Sequence, residues 1–195
     1  IIQAGHARVD QNLAQWFIPF CSKLRRHLRK PIWIMSYKAD LFQSNLYEQL
    51  VSERLIDALL VPDCSYEENY KMAIELKDFG VDVVQFIQPT MSDQQIIEIT
   101  KHASIVYAQT YTGATGASSS NLDNLPVLQA RVRRYTDALV VAGFGLNTPE
   151  KVRQVVESQF DGAVVGSALV EHCKDEQMDE LYDLVSTMKQ KTDLY

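Results

Sequence analysis

Six apolar runs rich in β-branched residues divide this chain, and helical patterns lie between them. The runs begin at residues 32, 58, 81, 104, 138 and 162, so they recur about every 23 to 34 residues. Parallel strands that are covered on both faces show continuous apolar runs and not alternation. Strands that alternate with helices in this way are typical of a parallel sheet. The pattern therefore predicts one α/β domain over residues 1–195.

Two of these runs end in glycine. One leads into Gly143-Phe144-Gly145, and the next leads into Gly166-Ser167. Glycine at a strand exit removes the Cβ, so backbone N–H groups can approach an anion, and a following helix N-terminus favours negative charge. Two such exits in successive βα units match the phosphate site that (β/α)8 enzymes form after their last two strands. We therefore predict a (β/α)8 TIM barrel with a phosphate site at these two exits.

Helix boundaries are also visible. Helical patterns lie near residues 43–55, 65–79, 92–102, 124–135, 148–159 and 176–191. Ser92 and Thr148 are predicted N-caps, the second followed by Pro149 at the first helical position. Gly80 is predicted to end the helix before it.

Composition excludes several classes of function. The net charge of −6 argues against nucleic acid as a partner, because a duplex binder needs a basic face. The basic cluster at residues 23–30 is predicted to be a solvated helix face with Leu24 and Leu28 as its buried stripe. No apolar run approaches the roughly 18 residues of a membrane span, and no signal peptide is evident, so we expect a cytoplasmic protein without membrane contact. The three cysteines and four histidines are scattered, which predicts no disulfide and no metal site.

The number of strands is smaller than a closed barrel requires. Six runs are two fewer than eight, and typical barrels have about 250 residues. The chain also begins Ile1-Ile2-Gln3, without an initiator methionine. We therefore expect that two βα units precede residue 1, and that the domain is N-terminally incomplete with its last six βα units represented.

At this point the chain resembles a known family, the α subunit of tryptophan synthase, a TIM barrel of the ribulose-phosphate-binding type. The resemblance covers nearly the whole chain in the family's order. The segments that carry it are Ile2-Gln3 with Arg8, Pro62-Asp63 with Glu67-Glu68, Pro89–Asp93, Ile105–Tyr107, Thr112–Ala117, Val141–Glu150 and Gly162–Val170.

The resemblance implies a lyase of tryptophan biosynthesis. Its reaction is the retro-aldol cleavage of indole-3-glycerol phosphate to indole and glyceraldehyde 3-phosphate. It also implies a β subunit as partner in an α2β2 heterotetramer, with pyridoxal phosphate in the β subunit and no cofactor in this one. The family's catalytic Glu and Asp are expected to precede residue 1, so the catalytic residues of this chain are unknown.

The resemblance also assigns roles to individual residues. Tyr107 is expected near the reacting glycerol as a supporting residue, although packing alone would explain a tyrosine at a strand end. Asp63 and Thr115 are expected in the interface loop and the lid, with a turn residue and a cap as the alternatives. The phosphate set is Gly116, Gly143, Phe144, Gly145, Gly166 and Ser167. The indole pocket set is Leu60, Ile87, Phe144 and Val164, which without the family are core residues.

Two departures leave other functions open. Cys64-Ser65-Tyr66 stands where most family members carry one or two prolines, and Ser118-Ser119-Ser120 stands where charged residues are more usual. One alternative is therefore a catalytically degenerate α subunit that binds and activates the β subunit. A less favoured alternative is another phosphate-binding barrel, such as a sugar-phosphate isomerase or epimerase.

Overall fold

The computed structural model describes residues 13–42, 46–110, 122, 124–174 and 178–193. Within these residues the strands are β1 (Trp33–Met35), β2 (Ala58–Leu60), β3 (Asp82–Val83), β4 (Gln85–Ile87), β5 (Ile105–Gln109), β6 (Leu139–Gly143) and β7 (Gly162–Val164). The helices are α1 (Leu13–His27), α2 (Lys38–Phe42), α3 (Leu46–Ser52), α4 (Tyr66–Leu76), α5 (Asp93–Thr100), α6 (Leu125–Arg133), α7 (Pro149–Glu157), α8 (Ser167–Lys174) and α9 (Met178–Thr192). A short 3₁₀ helix, Lys77–Phe79, follows α4.

The strands form two sheets. One has the order β1-β2-β3 and the other the order β4-β5-β6-β7. Strand β2 runs parallel to both β1 and β3, and β6 runs parallel to β7. Every apolar run of the sequence contains a strand, so the prediction of parallel βα units is confirmed.

The run at residues 81–87 differs from its prediction as one strand. It forms β3 and β4, which belong to different sheets. Val83, Val84 and Gln85 are all buried, so the apolar pattern carries no mark of the break. The Val84 N–H still donates to the Leu59 carbonyl at 2.8 Å, so the chain leaves the first sheet only after this residue.

The predicted helix boundaries are confirmed. Ser92 forms a capping box with Gln95 at the start of α5. The Thr148 hydroxyl accepts from the Lys151 N–H at 3.3 Å, and Pro149 is the first residue of α7. Gly80 has a φ of 72°, in the left-handed region. Helices often end with a residue in this conformation, which glycine adopts most readily.

The basic cluster partly departs from its prediction. Helix α1 ends at His27, so Leu28 lies outside it and is 41% exposed, whereas Leu24 packs against the core. The i, i+4 stripe is therefore wrong for Leu28, because the helix stops one residue before it. Helix α1 begins before the predicted basic helix face at residues 23–30, and α2 and α8 lie outside the predicted helical ranges. Pro19 interrupts the helical signal of α1, and the other two are short.

The chain divides into two compact units. Among the described residues, the first unit comprises residues 13–86 together with Ala103–Ile105, and the second comprises Ile87–His102 with the residues from Val106 onward. Leu41, Leu50 and Leu59 are among the fully buried side chains of the first unit. Those of the second unit include Ile96, Val106, Val132, Val140 and Val152. In the part of the chain that the structure describes, no helix has the length and apolar character to cross a membrane.

In each unit, an aspartate links the N-terminal ends of two neighbouring strands. In the first unit the Asp57 carboxylate accepts from the Ile32 N–H at 2.6 Å and pairs with Arg25. In the second unit the Asp161 carboxylate accepts from the Val140 N–H at 2.7 Å and pairs with Arg133 at 2.6 Å. The same arrangement recurs because each aspartate directly precedes a strand, and each arginine lies in the last turn of the helix that comes before the neighbouring strand.

Candidate phosphate-binding site

The two glycine-ended strands are neighbours in the second unit. Gly143 of β6 is the register partner of Val164 of β7. Because the strands are parallel, the residues after Gly143 and after Val164 leave the sheet at the same edge. The carboxyl edge of a parallel sheet is where α/β proteins bind ligands. The structure therefore brings together the two exits that the sequence singled out.

Gly143 is glycine for a reason internal to the chain. A Cβ built there would lie 1.8 Å from the Tyr107 hydroxyl and 2.3 Å from the carbon that bears it. Tyr107 is only 4% exposed, and burial raises the pKa of its phenol above the usual value, against a hydrogen bond from the Phe144 backbone that lowers it. Tyr107 is therefore a neutral, buried residue that packs against Gly143 at the end of β6.

The β6 exit has an unusual backbone that other residues fasten. Phe144 and Gly145 have φ angles of 79° and 71°. A non-glycine residue in this region costs about 1–3 kcal/mol unless its surroundings impose the conformation. Thr110 supplies that constraint, because its N–H donates to the Gly143 carbonyl at 3.0 Å and its hydroxyl to the Phe144 carbonyl at 2.6 Å. The half-buried Phe144 ring also packs edge-on against Tyr107, with centroids 5.8 Å apart.

Helix α7 contributes little to an anion site at the β6 exit. Pro149 has no N–H, the Lys151 N–H is taken by Thr148 Oγ1, and the Val152 N–H donates to the Thr148 carbonyl at 3.2 Å. Helix geometry gives the Glu150 N–H no acceptor within the helix, so α7 offers one backbone donor in its first turn. Further phosphate donors at this exit would come from the loop.

Helix α8 presents the opposite case at the β7 exit. The Gly166 carbonyl accepts from the N–H groups of Leu169 and Val170, at 2.9 and 3.1 Å. Helix geometry gives the two earlier N–H groups, those of Ser167 and Ala168, no acceptor within the helix. Ser167 is exposed, so its hydroxyl lies beside these donors at the surface. A Cβ at Gly166 would meet no atom of the described part of the chain within 4 Å, and the φ angle of Gly166 is not left-handed.

The residues predicted for the indole pocket divide between the units. Ile87 ends β4 in the second unit and is fully buried, while Phe144 and Val164 are half-buried beside the glycine exits. Leu60 ends β2 in the first unit and is buried. Its carbonyl accepts from the Ser36 N–H at 3.1 Å. All four lie at strand ends, and their role in binding indole stays a prediction.

Asp63 lies in a loop of the first unit and fastens it. Its carboxylate accepts from the Lys38 N–H at 3.0 and 3.3 Å, at the start of α2. The Lys38 ammonium pairs with Glu68 at 2.5 Å, and Glu68 completes a capping box with Ser65 at the start of α4. The pair lowers the pKa of Glu68. Ser65 thus caps α4 within the segment Cys64-Ser65-Tyr66 that departs from the family pattern.

Arg131 fastens the loop after β4. Its guanidinium donates to the carbonyls of Pro89 and Met91 and pairs with Asp93 at 2.6 Å. Arg131, together with the Tyr135 hydroxyl at 2.8 Å, lowers the pKa of Asp93. The segment Pro89–Asp93, which contributes to the family resemblance, is therefore held in place by a residue of α6.

Two predicted site residues, Gly116 and Thr115, lie outside the described residues. Within the described ranges, no group of three or more His, Cys, Asp or Glu side chains could hold a metal ion. Sequence reasoning missed Thr110 and Lys151. The Lys151 ammonium donates to the Gly145 carbonyl at 3.0 Å and to the Asn147 side chain at 2.9 Å. Thr110 was visible only as the residue after a strand, and Lys151 only as a cation in the first turn of a helix.

Parallel strands that alternate with helices place this chain in the class of α/β proteins built from βα units. The model of the tryptophan synthase alpha chain family matches residues 1–194, and the chain belongs to this family. It is 29% identical over 98% of its length to the tryptophan synthase alpha chain of Bacillus cereus strain ATCC 14579, of which it covers 75%. It is 27% identical to that of Petrotoga mobilis, over 88% of this chain and 67% of the relative.

Solved structures agree on the fold. A structure from Aquifex aeolicus VF5 superposes with a TM-score of 0.77 at 27% identity, over 89% of this chain and 67% of that one. The tryptophan synthase α2β2 complex from Pyrococcus furiosus includes a chain that matches with a TM-score of 0.77 at 24% identity, over 89% of this chain and 72% of that one. The predictions of the family and of the (β/α)8 fold are confirmed. The chain spans about two thirds to three quarters of the length of these relatives.

Proposed function

We propose that this protein performs the α reaction of tryptophan synthase, the cleavage of indole-3-glycerol phosphate to indole and glyceraldehyde 3-phosphate. The family match over residues 1–194 supports a lyase role in general. The relatives are about one third to one half longer than the matched part, so the activity of the whole protein rests on this proposal and not on the match alone.

The β7 exit is the observation that carries the proposal. Gly166 has open space where a Cβ would lie, and it precedes the exposed Ser167 and the first N–H groups of α8. Helix N-terminal N–H groups bind phosphate well, and hydrogen bonds to a charged group contribute about 1.5–3 kcal/mol each. The phosphate of the substrate would lie here, with the β6 exit as the second wall of the site.

The chemical step needs an acid and a base. The acid must protonate the indole ring carbon, and the base must take the proton of the glycerol hydroxyl. The resemblance implies a Glu and an Asp in these roles. Losing one general acid or base costs about 10²- to 10⁴-fold in rate. A variant without either carboxylate would therefore bind the phosphate ligand and release little indole.

The proposal includes a β subunit as partner. The relative from Pyrococcus furiosus is an α2β2 complex, which supports this part of the proposal. Pyridoxal phosphate would be held by the β subunit, and this chain would need no cofactor. The first-unit loop that Asp63 fastens is the proposed contact segment. A cytoplasmic location stays a prediction.

The test is indole release from indole-3-glycerol phosphate by the protein as its cell makes it, alone and with its β subunit. Indole formation that rises when the β subunit is added supports the lyase. No indole, with β-subunit turnover of added indole and serine still raised, supports a regulatory subunit that has lost its chemistry. The departure of Cys64-Ser65-Tyr66 from the family's prolines leaves this second candidate open. If neither effect is seen, both the lyase and the regulatory subunit are overturned. Turnover of a sugar phosphate instead would support an isomerase or epimerase.

A further inference from the structure

We propose that Lys151 is a positioning residue for the phosphate-binding loop at the β6 exit. The inference rests on the proposed function, because it takes the two glycine exits as the phosphate site. Lys151 belongs to α7 and not to the loop, so it acts on the ligand through the backbone it holds.

The contacts of Lys151 span the loop. Its ammonium donates to the Gly145 carbonyl at 3.0 Å and to the Asn147 Oδ1 at 2.9 Å. One ammonium thus ties the residue directly after Phe144 to the residue directly before the cap of α7. The bond to Gly145 is partly buried, and a charged donor forms a stronger hydrogen bond than a neutral one.

The position of Lys151 is unusual for a lysine. It is the third residue of α7, in the first turn, where the helix dipole favours anions and disfavours cations. Its backbone N–H donates to the Thr148 hydroxyl in the helix cap, and its side chain donates to the loop. The two loop contacts give a physical reason for a cation at a place where the helix alone disfavours one.

A hydrogen bond that fixes a backbone carbonyl also fixes the direction of the N–H in the same peptide group. The peptide is planar and trans, so the N–H of the next residue points opposite to the carbonyl. Thr110 fixes the Gly143 and Phe144 carbonyls in this way, and Lys151 fixes the Gly145 carbonyl. Three successive peptides are therefore oriented by the surrounding chain. Lys151 orients the third, which sets the direction of the Leu146 N–H.

The left-handed backbone explains why the loop needs this support. Phe144 and Gly145 both have positive φ, and such conformations persist only when neighbours impose them. Without the Lys151 ammonium, the loop would keep its hydrogen bonds to Thr110 and lose those at Gly145 and Asn147. We expect weaker phosphate binding with little change in global stability, because Lys151 is not part of the apolar core.

The test compares Lys151→Met with Lys151→Arg and with Arg153→Met as a matched control. Arg153 lies on the same helix and contacts Glu157, so its loss removes one charge without touching the loop. Binding of inorganic phosphate and of glyceraldehyde 3-phosphate is measured by calorimetry. We expect Lys151→Met to raise Kd roughly tenfold, Lys151→Arg to restore most of the affinity, and Arg153→Met to leave it within about twofold. In the indole-release assay KM should rise while kcat is kept.

Several outcomes decide the inference. An unchanged Kd in Lys151→Met, with the parent chain binding both ligands, overturns the role of Lys151 and leaves the phosphate site intact. A parent chain that binds neither ligand overturns the phosphate site and this inference with it. If Lys151→Met does not fold, Asn147→Ala removes one of the two anchors, and an affinity equal to that of the parent chain would overturn the role.

Discussion

The two glycine exits of the second unit look alike in sequence and differ in structure. At the β6 exit, Gly143 is required by the chain itself, because the Tyr107 hydroxyl occupies the space of a Cβ. At the β7 exit, none of the described residues lies within 4 Å of a Cβ built on Gly166. A glycine that its own chain does not need is the better evidence for a ligand. The comparison therefore favours Gly166 and Ser167 as contacts of the proposed phosphate site.

The difference extends to the helices that follow. Helix α7 has one first-turn N–H without an acceptor in the helix, that of Glu150, whereas α8 has two, those of the exposed Ser167 and of Ala168. The β6 exit is held by Thr110, Tyr107 and Lys151, so it forms a rigid wall. A binding site gains from this division, because preorganised donors need no rearrangement when the anion arrives.

The largest expected effect on stability is at Gly143. Gly143→Ala places a methyl group against the buried Tyr107, which must move with its backbone. We expect a loss of about 3 kcal/mol, at the upper end of overpacking costs. Urea unfolding measures it, with Gly80→Ala as a control for a glycine whose cost is backbone strain alone. An unchanged midpoint would show that the β6 exit is not closed by Tyr107.

The next effect is at the opposite end of the same strands. Asp161→Ala leaves the buried Val140 N–H without its acceptor and removes the Arg133 ion pair. We expect a loss of about 1–3 kcal/mol from the orphaned donor, and little from the exposed ion pair. Thermal unfolding of Asp161→Ala and Asp161→Asn separates the two contributions. Phosphate affinity should be kept, and a selective loss of affinity would contradict the separation of the two strand ends.

A smaller effect is expected at the cap of α7. Thr148→Ala removes the acceptor of the Lys151 N–H and should cost about 1 kcal/mol. Thr148→Ser keeps the hydroxyl and serves as the control. Thermal unfolding gives the cost, and an equal loss in both variants would show that the hydroxyl is not the reason.

Parts of this structure were predictable from local sequence. The apolar runs located the strands, and Ser92, Thr148 and Gly80 marked helix ends by local chemistry. The break between β3 and β4 was not predictable, since buried residues lie on both sides of it. The meaning of Gly143 depends on Tyr107, which is 36 positions away, and no local pattern carries that contact. Gly143 and Gly166 therefore received the same interpretation until the structure separated them.

The most direct test of this account is Gly166→Ala, with the midpoint of urea unfolding and the Kd for glyceraldehyde 3-phosphate measured on the same preparation. The account predicts an unfolding free energy within about 0.5 kcal/mol of the parent chain, as for a substitution that meets no neighbour, and a Kd raised about tenfold or more. An unchanged Kd would contradict it, because the open space at Gly166 would then have no ligand to explain it.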